Sequence, residues 1–191
     1  MNKLLSTYGS LALLCALSGL MCVTRGNHFI SPAHLPDASW AIFFLVGFYF
    51  RQRLLLPLFL AQAALVDYLA ITQFGASSFC VTPAYAFLIP AYGALWAAGR
   101  WSATHLRAPE RNAAWLAASA FAGTLVCELV SSGSFYFLGG RFEDTSLREF
   151  GTRLAQYFPG DLGGVALYLG SAALLHLLIA GGKHHSAHLP Q

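Results

Sequence analysis

Apolar residues along the chain fall into six runs that are separated by short polar segments. The runs cover residues 6–24, 38–50, 54–72, 83–99, 112–138 and 161–181. A run of about 20 apolar residues crosses about 30 Å of hydrocarbon as an α-helix. The run 38–50 is short and aromatic, so it begins earlier, at Pro36, or tilts, or fails to cross the full hydrocarbon core. The pattern predicts an all-α membrane protein with six transmembrane helices in a single domain, residues 1–191.

The composition supports the membrane prediction and excludes other classes. The chain is 57% hydrophobic and 10% charged, whereas about a quarter of the residues in a soluble domain are charged. The net charge is only +3 and no run of Lys or Arg is present, so nucleic acid is not an expected partner. The chain also lacks a P-loop of the form GxxxxGK[ST]. Any ATP would therefore have to act through another subunit.

The basic residues predict the orientation of the six spans. Six spans place both termini and two loops on one side, with seven of the 11 Lys and Arg residues: Lys3, Arg51, Arg53, Arg100, Arg107, Arg111 and Lys183. The loops 25–38, 73–82 and 139–160 on the other side hold the remaining four. By the positive-inside rule both termini, including the tail 182–191, are expected in the cytoplasm.

An uncharged segment, residues 73–85, interrupts the apolar sequence between the third and fourth runs. Its residues are Gln-Phe-Gly-Ala-Ser-Ser-Phe-Cys-Val-Thr-Pro-Ala-Tyr. Gly75 and the serines indicate a turn, and Pro83 is typical of the first turn of a helix. Cys80 is then expected on the outside at a helix entrance, where the helix dipole favours a thiolate. The alternative is a small apolar packing residue. Whether Cys22 pairs with Cys80 stays open.

Four further residues are candidates for function, each with a structural alternative. Asp67 and Glu128 are carboxylates within predicted spans, where a charge is costly and indicates function by default. Asp67 either points into an outward cavity or pairs with an interior arginine or hydroxyl, and Glu128 lies deeper, as a structural carboxylate would. Tyr85 is close enough to Cys80 to share a cavity wall, or it anchors its helix at the membrane interface. Arg153, in the predicted outer loop, either reaches inward or is solvated.

A nucleophilic site is an alternative from a different functional class. The segment Gly75-Ala76-Ser77-Ser78, together with His176, is similar to the Ser–His dyad of rhomboid intramembrane proteases. The second glycine of their Gly-x-Ser-Gly motif is missing, and polar oxyanion residues are not evident. An intramembrane serine hydrolase is therefore the weaker hypothesis.

The helix pattern and the cysteine segment together resemble a known family of transporters. Six short apolar helices, the first with Ala12-x-x-x-Ala16, resemble the S-components of energy-coupling-factor (ECF) vitamin transporters. The segment Ser-Ser-Phe-Cys-Val-Thr-Pro-Ala-Tyr, preceded by Asp67, more closely resembles the BtuM family of S-component-like cobalamin transporters. The likeness covers nearly the whole chain in length and helix order. It implies an S-component-like bundle that takes up vitamin B12 across the bacterial inner membrane.

The resemblance also implies roles for individual residues. The matching cysteine of that family is an axial ligand of the cobalt in cobalamin, which assigns this role to Cys80. Asp67, Tyr85 and Arg153 match polar positions of the family and are expected to bind the same substrate. The Ala12–Ala16 pair would contact an ECF-type energising module.

The chemistry of cobalamin agrees with these assignments. A soft thiolate suits a transition metal with an exchangeable axial site, and an apolar cavity with few polar anchors suits the corrin ring. The loops 25–38 and 139–160 would close over the substrate as a lid. Removal of cyanide from the cobalt is a predicted side activity. An S-component for another vitamin, with Cys80 as a packing residue, is the alternative within transport.

Overall fold

The structure, a computed structural model, describes residues 7–25, 35–105 and 109–186. These residues form six α-helices in the order of the six predicted runs. The helices are α1 Thr7–Arg25, α2 Ser39–Tyr49, α3 Leu55–Phe74, α4 Leu88–His105, α5 Pro109–Leu138 and α6 Leu147–Ser186. Two 3₁₀-helices, Ser78–Cys80 and Pro83–Phe87, lie between α3 and α4. The described residues contain no strand, which confirms the all-α prediction.

Four of the helices are long and apolar enough to cross a membrane. Their candidate spans are Tyr8–Arg25, Leu55–Phe74, Ala113–Leu138 and Leu147–Leu178. Helix α2 has 11 residues and is about 16 Å long, roughly half the thickness of the hydrocarbon layer. Helix α4 has 18 residues but is less apolar than the four candidate spans. Length and composition thus support four spans rather than the predicted six.

Successive helices run in opposite directions. The end of α1 meets the start of α2 at Arg25 and Ser39. The contacts Ser18–Gln62 and Arg25–Asp67 show that α1 and α3 run parallel, and Pro36–Tyr168 and Tyr49–His176 show the same for α2 and α6. Helix α5 runs antiparallel to α4 and to α6, as shown by the contacts Ser119–Ala98, Gly123–Leu95, Phe121–Phe158 and Tyr136–Phe150. The last residues of α1, α3 and α5 therefore lie at the same end of the bundle as the first residues of α2, α4 and α6. We name this the connector end, after the connector formed by residues 75–87 between α3 and α4. The start of α1 and the end of α6 lie at the opposite end.

Helix α2 forms the centre of the bundle and packs most extensively against α4. Eight of its 11 residues are buried, among them Phe43 and Phe44. The two backbones touch where α2 carries Gly47 and α4 carries Gly99, because a Cβ atom on either glycine would overlap a carbonyl oxygen of the facing helix. Small residues at a crossing allow this close approach in membrane helices. The α2–α4 pair is therefore held by backbone proximity as well as by aromatic burial.

Helix α6 begins earlier than the sequence pattern predicts. The loop predicted at 139–160 is restricted to residues 139–146, because α6 starts at Leu147 and continues through Pro159. The Ser146 side chain accepts a hydrogen bond from the backbone N–H of Glu149 at 3.2 Å, which is the geometry of a helix N-cap. With 40 residues, α6 is about 60 Å long, twice the hydrocarbon thickness.

Two predicted segments fall partly outside the described residues, and residues 182–186 of the second belong to α6. The predicted loop 25–38 includes residues 26–34, and the predicted tail 182–191 includes residues 187–191. The lid role of the first segment therefore stays a prediction.

Candidate functional site

Six polar side chains from five parts of the chain meet at the connector end. They come from the end of α1, the start of α2 and the residues before it, α3, the connector and α4. The members are Arg25, Asp37, Ser39, Asp67, Tyr85 and Tyr92, and we name this group the Arg25 cluster. A polar group of this size among apolar helices is costly unless its members satisfy one another.

Arg25 and Asp67 form the centre of the cluster. Arg25 Nε lies 2.7 Å from Asp67 Oδ1, and Arg25 Nη2 lies 2.7 Å from Asp67 Oδ2, so the pair is bidentate. The Arg25 side chain is 8% exposed and that of Asp67 is 25% exposed. Arg25 Nη1 donates to Ser39 Oγ at 3.0 Å and to the Tyr92 hydroxyl at 2.8 Å. Asp37 Oδ2 is a second anion at 3.6 Å.

Tyr85 joins the cluster from the connector. Its hydroxyl donates to Asp67 Oδ2 at 2.6 Å. Burial first, and then this hydrogen bond to Asp67, raises the pKa of Tyr85, so the phenol stays protonated and remains a donor. Asp67 thus accepts three hydrogen bonds and has about one acceptor position left, since a carboxylate has about four.

The structure therefore brings two predicted site residues together. Asp67 contacts Tyr85 directly, and its interior partners are both an arginine and a hydroxyl. This is the arrangement expected of a structural carboxylate, which the sequence left open for Asp67. The remaining acceptor position is the part of Asp67 that a ligand can use.

Cys80 lies in the first half of the connector and has an exposed thiol. Gly75 ends α3 with a φ of 71°, a conformation that glycine adopts without strain. The Ser77 hydroxyl then caps the turn by accepting from the Phe79 N–H. Cys80 is the last residue of that three-residue 3₁₀-helix, and α4 begins only at Leu88. The 3₁₀-helix Pro83–Phe87 runs directly into α4, so Pro83 lies in the first turn of the next helical segment, as predicted, and Cys80 lies three residues before it.

Arg153 lies on the first turns of α6 rather than in a loop, which corrects the predicted location. Its guanidinium contacts Glu149 at 2.8 Å, a helical i,i+4 pair. The same guanidinium lies 4.7 Å from the centre of the Phe142 ring and 5.6 Å from that of Tyr136. These partners keep Arg153 outside the Arg25 cluster.

An aromatic cluster links Arg153 to the Cys80 turn. Its members are Phe79, Phe135, Tyr136, Phe137, Phe142 and Phe150. Phe79, which precedes Cys80, packs edge-on against Phe135 with the ring centres 5.7 Å apart. Phe135 packs in the same way against Phe142 at 6.0 Å. The aromatic cluster thus connects Arg153 to the turn that carries Cys80, whereas Asp67 and Tyr85 belong to the Arg25 cluster.

An apolar cleft of about 370 Å³ opens between the connector, α5 and the start of α6. Its walls are Phe87, Leu129, Val130, Gly133, Ser134, Phe137, Leu138 and Phe150. Pockets for small ligands are typically about 300–1,000 Å³ and mostly apolar. The cleft therefore suits one edge of a large ligand better than a whole corrinoid.

The Ser–His alternative has no geometric support. His176 Nδ1 lies 3.4 Å from the hydroxyl of Tyr49, the last residue of α2. The connector that carries Ser77 lies at the other end of the bundle. The length of α2, about 16 Å, therefore separates the two groups. Glu128, on α5, is buried and 4% exposed, and Ser132 one turn later is its hydrogen-bond partner.

Sequence reasoning missed four members of the cluster as site residues: Arg25, Asp37, Ser39 and Tyr92. Arg25 was counted as a charge of the outer loop, although it is the last residue of α1. The available signal was Asp67, since a carboxylate within a span requires a counter-charge. Arg25 is a basic residue placed directly after an apolar run and was a candidate for that partner.

The chain matches neither a known protein family nor any curated protein in comparisons with both. Within the described residues no group of three or more His, Cys, Asp or Glu could hold a metal ion. The site offers a soft thiol, a phenol in a satisfied polar network and an apolar cleft.

Proposed function

We propose that the chain takes up cobalamin across the bacterial inner membrane and binds it at the connector end. In this proposal the Cys80 thiolate is an axial ligand of the cobalt. The observation that carries the proposal is the exposed Cys80 thiol in the connector whose other half joins Tyr85 to Asp67. A soft thiolate is a suitable ligand for a transition metal with an exchangeable axial position.

The surroundings of Cys80 supply the other contacts that a corrinoid needs. Tyr85 and the free acceptor position of Asp67 are hydrogen-bonding partners for the amides on the corrin rim. The cleft lined by Phe87 and Phe137 takes an apolar edge of the ring. Arg153, at the far side of the aromatic cluster, is the fourth proposed contact. A largely apolar site with a few placed polar groups is typical of cofactor-sized ligands.

The proposed topology is an S-component-like bundle of six membrane helices with both termini in the cytoplasm. Four helices meet the length and apolarity of a span, and α2 and α4 are proposed to complete the six. Burial of α2 by its neighbours supports this, because a helix shielded from lipid does not need a full-length apolar surface. The excess of basic residues on the side of the termini supports the orientation.

The partners in this proposal are lipid and an energising module of the ECF type. Ala12 and Ala16 lie on an exposed face of α1. Gly19 continues that face with no neighbour within 4 Å of a Cβ position. Small residues on an open helix face permit close packing of another membrane helix. The absence of a P-loop in the sequence places ATP hydrolysis, where it is used, in that module.

The decisive test is the visible spectrum of cobalamin bound to the purified protein. Coordination by sulfur should shift the cobalt-dependent bands, and Cys80→Ser should return them to those of the free vitamin, because a protonated hydroxyl is a poor ligand. Cys22→Ser is the matched control, since Cys22 is also an exposed cysteine, and should keep the shift. A wild-type spectrum without a shift, or binding of another vitamin instead, would overturn the proposal.

Removal of cyanide is a proposed side activity of the same site. With sulfur on one axial face, one electron from an added reductant converts cobalt(III) to cobalt(II), and cyanide leaves the other face as CN⁻. Cyanide release should require the reductant and should stop in Cys80→Ser. Release that persists in this variant would assign the reaction to the reductant alone.

A further inference from the structure

Arg141, in the short loop between α5 and α6, binds the turn that carries Cys80. Its Nε donates to the carbonyl oxygen of Phe79 at 3.0 Å. That oxygen belongs to the peptide bond joining Phe79 to Cys80. The Arg141 guanidinium also lies 5.0 Å from the centre of the Phe79 ring. One side chain from a distant loop thus contacts both the backbone and the ring of the residue next to the thiol.

The loop that supplies Arg141 is itself held at both ends. Gly140, with a φ of 66°, turns the chain out of α5. The backbone N–H of Ser146 donates to the Tyr136 hydroxyl at 3.1 Å before α6 begins. The neighbouring Phe142 packs into the aromatic cluster against Phe135. The backbone that carries Arg141 is therefore held in place by the contacts of its loop.

We propose that Arg141 is a positioning residue that orients the Cys80 thiol before a corrinoid binds. The inference rests on the proposed function and assigns a role to a residue outside the expected binding set. Phe79 is half exposed and its turn has only three residues, so the turn depends on outside contacts for a fixed shape. Pre-ordering one ligand residue lowers the entropy that binding has to overcome.

The geometry requires an arginine at this position. A planar guanidinium can donate to a carbonyl and stack on a ring at the same time, whereas the lysine ammonium is a point charge on a flexible stem. Cation–π contact adds to the hydrogen bond at a partly exposed site. Arg141→Lys should therefore restore only part of what Arg141→Ala removes.

The first experiment measures the order of the turn without cobalamin. A nitroxide spin label is attached to Cys80 in full-length protein whose other three cysteines are replaced by alanine. Arg141→Ala should increase the mobility of the label, with Arg141→Lys intermediate. Arg148→Ala is the matched control, because Arg148 is an exposed arginine on the first turn of α6, and it should leave the mobility unchanged. Equal mobility in the parent protein and Arg141→Ala overturns the inference.

The second experiment measures cobalamin affinity and spectrum together. Arg141→Ala should weaken binding about two- to ten-fold, the cost of ordering one side chain and its turn, while the saturated spectrum keeps the sulfur shift. Cys80→Ser loses the shift, so the two roles separate. If Arg141→Ala fails to fold, Arg141→Lys carries the test, and equal mobility of the label in Arg141→Lys and the parent protein overturns the inference. If Arg141→Ala increases the mobility of the label but cobalamin shows no spectral shift with the wild type, the positioning role stands and the proposed function is refuted.

Discussion

The ion pair between Arg25 and Asp67 allows the structure to be tested independently of any ligand. We consider three variants, Asp67→Ala, Arg25→Met and the double variant. Asp67→Ala leaves a guanidinium that is 8% exposed without its bidentate partner and removes the acceptor of the Tyr85 hydroxyl. Arg25→Met leaves a carboxylate that still accepts from Tyr85. Replacing both removes the two charges together.

The expected magnitude follows from the burial of the pair. Removing one partner of a buried ion pair destabilises a protein by about 3–5 kcal/mol. Asp37 remains 3.6 Å from Arg25, so the lower end of that range applies to Asp67→Ala. For a chain of this length, 3–5 kcal/mol corresponds to a melting temperature lower by about 6–20 °C. The double variant should lose about 1–3 kcal/mol less stability than the two single variants lose in sum.

The assay is thermal unfolding of the four proteins in the same detergent, monitored by intrinsic fluorescence or loss of the monomer peak. If Arg25 and Asp67 are coupled, the decrease in melting temperature of the double variant is smaller than the sum of the decreases of the two single variants. Losses that simply add, or an Asp67→Ala protein within about 2 °C of the wild type, would refute the buried pair, because exposed pairs contribute only about 0–1 kcal/mol.

Three further predictions concern single positions. Gly47→Ala should destabilise the protein by about 1–3 kcal/mol, because the added methyl group overlaps α4. Gly93→Ala is the control: this glycine faces open space on α4, and the change should stabilise the protein by up to about 1 kcal/mol. Equal melting temperatures of the two variants would contradict the close crossing of α2 and α4. Because the pKa of Tyr85 is raised in the folded state, its contribution is complete below about pH 10 and is lost as the pH rises further. Tyr85→Phe should therefore be less stable near neutral pH and lose less in alkali, and parallel stability curves for the two proteins would argue against this. Ser146→Ala should lower stability by about 1 kcal/mol by removing the cap of α6, and Thr145→Ala is the adjacent control in the same melting assay.

The order of the helices was predictable because apolar runs follow directly from the need to bury helix surfaces in lipid or protein. The start of α6 was not, because Arg148, Glu149 and Pro159 suggested a polar loop. In the structure Glu149 pairs with Arg153 one turn later, and such pairs stabilise a charged helix. The spacing Ser146-x-x-Glu149 was the available signal of the helix start. Charge alone does not separate a loop from the polar end of a long helix.

The candidate site was predictable only in part. The pairing of Asp67 with Tyr85 was predictable because Asp67 lies in the second half of α3 and Tyr85 lies in the connector that follows it. Arg25 was not assigned, because it is 42 residues away from Asp67 in sequence and apolar patterning contains no information on which helices are neighbours. The partners of Arg153 were missed for the same reason, since Phe142 and Tyr136 approach it only through the turn after α5.

The central position of α2 has a consequence for the order of events during synthesis. This helix is the most apolar of the described helices. It ends at Tyr49, and its principal packing partner, α4, begins 39 residues later, at Leu88. At a translation rate of about 5–20 residues per second, the ribosome needs about 2–8 s to complete that interval. During this time α2, which is too short to span the bilayer alone, has only its smaller contacts with α1 and α3. The largest interface of α2 can therefore form only after α4 has been made, although α2 itself is an early part of the chain.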